Sequence, residues 1–203
     1  MRLRRIDKIF VSIVVPIASM CATLILLYVF VSTKVDPVEP NAVLEQVVVE
    51  PGVVTADIPL HIEIGNIAVA AAINPVGLTA DGDMDIENDP TLTAWYQLGP
   101  KPGEVGSAVI AGHYGWKDGV PSVFNDLNKL VVGDVVSVQD QTGTNRSFRV
   151  TRMANYAPEQ DATSVFTSSD GRAHLNLITC QGEWSGVLNT YSERLVVFTD
   201  LIE

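Results

Sequence analysis

Cysteine is scarce in this chain. There are two in 203 residues, Cys21 and Cys180. Cys21 falls inside a long apolar run and Cys180 in a polar, mixed segment, so the two lie in different phases and cannot pair within one chain. A disulfide framework is therefore excluded as the source of stability. Positive charge is also short, with 13 Lys and Arg against 24 Asp and Glu, a net charge of −11. The deficit is uneven, because the first eight residues carry +3 and the remainder −14. Nucleic acid is excluded as a partner of so acidic a segment, since phosphate contacts need clustered Lys and Arg. Internal repeats and low-complexity tracts are absent, which removes solenoids.

What the chain does have begins at its N-terminus. Residues 1–8, MRLRRIDK, form a basic tail, and residues 9–33 contain no charged residue at all. As a helix this 25-residue run spans roughly 37 Å at ~1.5 Å per residue. That exceeds the ~20 residues a bilayer needs, and it is longer than a signal-peptide core of ~7–15 residues. No A-x-A cleavage site follows it. The expectation is one transmembrane helix, with the basic tail cytoplasmic and the rest outside the cell membrane. Residues 34–56, punctuated by Pro37, Pro40 and Pro51, read as a stalk. Residues 57–203 fit a single extracellular domain of ordinary size.

That domain reads as mostly β. PLHIEI alternates Leu60, Ile62 and Ile64 against His61 and Glu63, the period of a half-buried strand. NIAVAAAI, TAWYQLG, SAVIAGH, DVVSVQD, RSFRVTRMANYA, AHLNLITC and ERLVVFTD bring the count to eight, and QTGTN reads as a hairpin turn. Helical spacing is confined to SVFNDLNKL and DATSVFTS, with Ser122 and Asp161 as candidate caps. Eight short strands with long connections favour a closed or partly closed β-barrel with short helices.

An unpaired cysteine in an exported domain is unusual, because oxidising surroundings favour disulfides. Cys180 is an inert core residue, an intermolecular link or a reactive thiol. A reactive thiol needs a base or cation nearby, because the thiolate is the nucleophile. Of three histidines, His61 sits on the polar face of its strand. His174 lies six residues before Cys180 in the same strand, roughly 20 Å away at ~3.3 Å per residue, so it is out of reach. His113 ends an apolar strand beside a glycine-rich turn, where it can lean over a neighbouring strand end; an exposed turn histidine is the plain alternative. Arg194 opens the last strand. If the last two strands pair antiparallel, Arg194 and Cys180 fall at one rim with the intervening loop arching above them. A guanidinium there can hold a carbonyl or a developing oxyanion; otherwise it is a surface ion pair with Glu183 or Glu193.

The acidic segment DGDMDIENDP, residues 81–90, begins like a calcium loop. Its glycine is misplaced and Leu92 stands where a bidentate Glu is needed, so the reading is a solvated acidic loop.

These residues together resemble the sortase family. The resemblance rests on Asn176-Leu177-Ile178-Thr179-Cys180, matching a T-L-x-T-C strand end except at Asn176, on GSAVIAGHYGW around His113, and on YSERLVVFTD around Arg194. NPVGLTADGDM, WYQLGPKPGEVGSAVIAGH and VFNDLNKLVVGD resemble the class F group most. The resemblance covers the chain from about Ile58 onward. It implies a membrane-anchored cysteine transpeptidase on an eight-stranded β-barrel, with Cys180 as nucleophile, His113 as acid and base, and Arg194 with Thr179 holding the signal and the oxyanion. The implied partners are exported proteins bearing an LPxTG-like C-terminal sorting signal and a cell-wall precursor amine as acceptor. No metal or organic cofactor is required. YAPEQDATSVFTSSDG, residues 156–171, is expected to wall the groove, and the stalk lacks an aspartate-aromatic lid. Two rivals remain at this point. Another exported cysteine peptidase or L,D-transpeptidase would usually place its cysteine before its histidine, the reverse of the order here. A non-enzymatic, membrane-tethered β-domain would leave Cys180 inert.

Overall fold

The computed structural model describes residues 57–116 and 119–202. The basic tail, the apolar run and the stalk inferred above lie outside the described residues. Among those described, no helix is long and apolar enough to cross a membrane.

Eight strands form a closed barrel: β1 (Pro59–Ile64), β2 (Val69–Val76), β3 (Thr93–Tyr96), β4 (Gly106–Gly112), β5 (Val135–Asp140), β6 (Asn145–Tyr156), β7 (Ala173–Ser185) and β8 (Thr190–Ile202). Their order around the barrel is β1-β2-β3-β4-β7-β8-β6-β5. Two pairings are parallel, β2 with β3 and β4 with β7, and each needs a long crossover. The remaining pairs are antiparallel.

Alternation along the strands builds two apolar layers. Ile62 and Ile64, Ala108 and Ile110, Leu175 and Leu177, and Leu195 and Val197 point into the barrel with Phe124, Leu127 and Phe148. Leu60, expected on that same face, is 45% exposed. A register shift between Pro59 and His61 turns it outward, as an irregular residue in a ladder does. The second layer lies on the outside of β4, β7 and β8. There Val196, Tyr156 and Val165 cluster with Ile178, Phe166 and Phe198. This cover explains why β4 is buried on both faces and reads as a continuous apolar run.

The outer cover is a single helical turn, α1 (Thr163–Phe166). Asp161 accepts from both the amide and the hydroxyl of Thr163, but the N-cap position falls on Ala162, so the expected side-chain cap is not made. The other expected helix, SVFNDLNKL, is a set of turns ending in a short 3-10 segment, Leu127–Lys129. Ser122 does not cap it: its buried hydroxyl has no hydrogen-bond partner. Phe124 and Leu127 are drawn into the barrel mouth instead, and that packing sets the conformation.

Candidate active site

The outward faces of three adjacent strands set the site. Cross-strand registers align Val109 with Asn176 and Ala111 with Ile178 between β4 and β7. Between β7 and β8 they align Asn176 with Phe198, Ile178 with Val196 and Cys180 with Arg194. Since side chains alternate, Asn176, Ile178 and Cys180 share one face of β7, and Arg194 stands opposite the cysteine on that same face. α1 covers the upper part of this surface; the end that carries Cys180 is open.

β4 delivers the histidine. Its last residue, Gly112, precedes His113, and the hydroxyl of Thr179 donates to the Gly112 carbonyl across 2.7 Å. That bond ties the residue before the cysteine to the residue before the histidine. Thr179 itself is buried in the wall of the cleft beside Cys180, its hydroxyl spent on the Gly112 carbonyl. Gly112 is required by space, because an added Cβ would lie 2.5 Å from the Phe124 ring and 2.8 Å from Val123. The Phe124 amide donates to the His113 carbonyl at 3.1 Å, and the Val123 amide to the Pro90 carbonyl at 2.8 Å, so one segment pins both loops.

His113 Nε2 lies 2.6 Å from the Glu87 carbonyl oxygen. A carbonyl only accepts, so Nε2 carries the proton and Nδ1 is left to exchange one. The Trp116 ring stacks edge-on against the imidazole with centroids 4.7 Å apart. No hydrogen bond joins the imidazole to the Cys180 sulfur among the described residues.

Two connected cavities meet at Cys180. One, about 100 Å³, is apolar and bounded by Ile86, Leu92, Ala111 and Ile178. The other, about 890 Å³, is wide and aromatic, with Tyr114, Trp116, Trp184 and Tyr191 on its walls. His113, Cys180 and Arg194 border both. The three residues singled out from the sequence therefore do share one cleft. The other two histidines are elsewhere. His61 pairs with Glu63 at 3.7 Å, and His174 bonds Asp200 at 2.9 Å and Asp170 at 3.0 Å.

The electrostatics are asymmetric. Burial pushes the Cys180 thiol above its ordinary value, and the Arg194 guanidinium pulls the other way without winning. At neutral pH the sulfur therefore rests as a thiol, and proton removal has to accompany attack. Arg194 forms no ion pair among the described residues, since its hydrogen bonds go to the Tyr191 and Glu193 carbonyls and the Thr190 hydroxyl. The expected alternative partner, Glu193, binds Asn155 instead. A full positive charge thus faces the cleft uncompensated. Such an arrangement can attack an acyl carbon with sulfur, stabilise the oxyanion with the guanidinium and protonate a leaving amine.

Two features departed from the sequence reading. The segment after Cys180 is not an arching loop. β7 runs on to Ser185 and β8 starts at Thr190, with the shift between Gln181 and Trp184 absorbing a bulge at Gly182, where φ is +86°. The acidic loop also belongs to the site, through Ile86 and the Glu87 carbonyl. Its acids face solvent, but the β2–β3 crossover folds its second half back over His113. The sole hint in sequence is Ile86, an apolar residue amid acids.

A closed barrel carrying a thiol, an imidazole and a guanidinium in one exposed cleft defines a thiol-dependent acyl-transfer enzyme. The sortase domain family model matches residues 62–202. The chain belongs to the sortase family, the cysteine transpeptidases. No curated protein matches it. Solved structures share the fold. Sortase C1 of Streptococcus agalactiae, in complex with MTSET, is 24% identical, with 71% of this chain and 67% of that chain covered and a TM-score of 0.55. Sortase C-1 of Actinomyces oris is 23% identical over 70% and 73%, with a TM-score of 0.53. A lid mutant of sortase A from Corynebacterium diphtheriae is 21% identical over 72% and 70%, with a TM-score of 0.56.

Proposed function

We propose that this sortase is a single-pass membrane enzyme that cleaves an LPxTG-like signal between Thr and Gly and joins the new carboxyl to a cell-wall precursor amine. The Cys180 sulfur attacks the threonine carbonyl carbon, its proton passing to His113 Nδ1 as the C–S bond forms. The Arg194 guanidinium holds the resulting oxyanion. His113 protonates the leaving amine as the C–N bond breaks, which gives an acyl-thioester. The acceptor amine then attacks the same carbon, His113 takes its proton, and the C–S bond breaks as that proton passes to sulfur, regenerating the thiol.

The observation that carries this reading is the Cys180–Arg194 cross-strand pair, opening on the cleft that His113 borders. The apolar pocket beside Cys180 suits the aliphatic residues of such a signal. Residues 9–33 supply the anchor and residues 34–56 the stalk, with residues 1–8 in the cytoplasm and the catalytic domain outside. Among sortase groups, class F fits the sequence motifs best.

The test is to incubate the protein with sorting-signal peptides and to measure both turnover and adduct mass. A thioester adduct mapping to Cys180, absent in Cys180→Ala, is the expected result. His113→Ala should lower turnover by about 10²–10⁴-fold, and Arg194→Ala by about 10²–10³-fold. Turnover at the parent rate by Cys180→Ala would sink the assignment.

A further inference from the structure

Arg194 has to hold a charge over the cleft, yet its side chain is long, flexible and unpaired with any carboxylate among the described residues. What fixes it lies on its own strand. Nη1 donates to the carbonyls of Tyr191 and Glu193, each at 3.1 Å. Nη2 donates to the Thr190 hydroxyl at 2.8 Å. Thr190 is four residues back, which in a flat strand is roughly 13 Å. The contact therefore needs a curled hairpin, and the bulge between Gln181 and Trp184 supplies that curl.

The same dipeptide reaches the histidine side. The Tyr191 ring meets Tyr114 edge-on at 5.3 Å and Trp184 at 5.1 Å. Its hydroxyl fills the space over Gly115, where an added Cβ would come within 2.4 Å. Gly115 and Tyr114 belong to the turn that follows His113.

Two acceptors on Arg194 are main-chain carbonyls that any residue would supply; Thr190 is the one side chain among them. With Nη1 and one Nη2 hydrogen engaged, Nε and the remaining Nη2 hydrogen are the donors left for an oxyanion. We propose that Thr190 is a positioning residue for Arg194, its hydroxyl selecting the rotamer in which the guanidinium addresses the acyl oxygen above Cys180. This rests on the role given to Arg194 above.

Thr190→Val removes the acceptor with little change of shape, and Thr190→Ser keeps it. Thr190→Val should lower kcat on a sorting-signal peptide about tenfold or more with KM nearly unchanged, and Thr190→Ser should restore most of it. A second readout needs no turnover: the pH dependence of Cys180 alkylation by iodoacetamide, with Cys180→Ala correcting for Cys21. The thiolate midpoint should move up in Thr190→Val, toward that of Arg194→Ala. Adding Thr190→Val to Arg194→Ala should change neither readout further. Parental kcat and midpoint in Thr190→Val, while Arg194→Ala is inactive, would overturn the positioning role and leave the Arg194 reading standing. Full turnover by Arg194→Ala would overturn the Arg194 reading itself. Equal losses in Thr190→Val and Thr190→Ser would also overturn the proposal, because the hydroxyl would then not be the cause.

Discussion

His113 Nε2 donates to the Glu87 carbonyl across 2.6 Å, joining the turn after β4 to the crossover between β2 and β3. The bond selects a tautomer. In the neutral ring, ¹⁵N NMR of His113 should show a protonated Nε2 and an unprotonated Nδ1. The opposite assignment would mean that Nε2 is the nitrogen free to exchange with substrate.

Gly112 leaves room for the Phe124 ring and Val123 beside the histidine. Gly112→Ala should therefore displace β4 from that segment and carry His113 with it. A misplacement of ~1 Å can lower a rate about 10²-fold. We expect a loss of that order in kcat/KM with the Cys180 alkylation rate at neutral pH little changed. Parental kcat/KM would show that the neighbours give way without moving the imidazole.

Asn176 is the residue at which the strand signature departs from threonine, and the structure gives the reason. Its Nδ2 donates to the Val165 carbonyl of α1 at 2.6 Å, in a buried setting. Asn176→Leu leaves that carbonyl unpaired, which costs about 1–3 kcal/mol. Urea unfolding should show this loss. Because α1 packs on Ile178 beside the cleft, peptide KM should rise more than kcat falls. Unchanged stability would mean that water replaces the amide.

His174 binds the carboxylates of Asp170 and Asp200 with its two ring nitrogens, and Arg172 holds Asp200 from outside. Burial disfavours the imidazolium, but the bonds to Asp170 and Asp200 outweigh it and raise the pKa. Asp170 is held below the carboxylate range, first by its bond from His174. A raised histidine stabilises fully below its ordinary 6.5 and loses that effect as pH rises through the raised value. A lowered aspartate stabilises above its ordinary 3.8 and loses that effect as pH falls. The clasp should thus be strongest between these two values. The Tm difference between parent and His174→Gln should peak in that window and shrink above it. A difference flat across pH would argue for packing alone.

The barrel was legible because its strands alternate against one core, and because β4, covered on both faces, shows an unbroken apolar run. Cys180 and Arg194 stood out for a similar reason: an unpaired thiol and an arginine leading an apolar run have no core role to absorb them. Ile86 and Glu87 were not legible as site residues. Their part depends on a crossover returning over a distant strand end, and Glu87 contributes its main chain, which leaves no mark on residue type. Thr190 was hidden likewise, because the curl that brings it to Arg194 arises from a bulge on the partner strand. Leu60 shows the converse, a regular alternation broken by one irregular pairing.

The bond from Thr179 to Gly112 fastens the residues beside Cys180 and His113 to a parallel ladder rather than to the segments that surround them. Cys180 and His113 therefore sit at the end of a rigid chassis, while Ile86, Leu92 and the Glu87 carbonyl reach the cleft from the β2–β3 crossover grafted around it. Exchanging residues 86–92 of that crossover for those of another family member should retune which peptides are accepted while leaving the ladder intact.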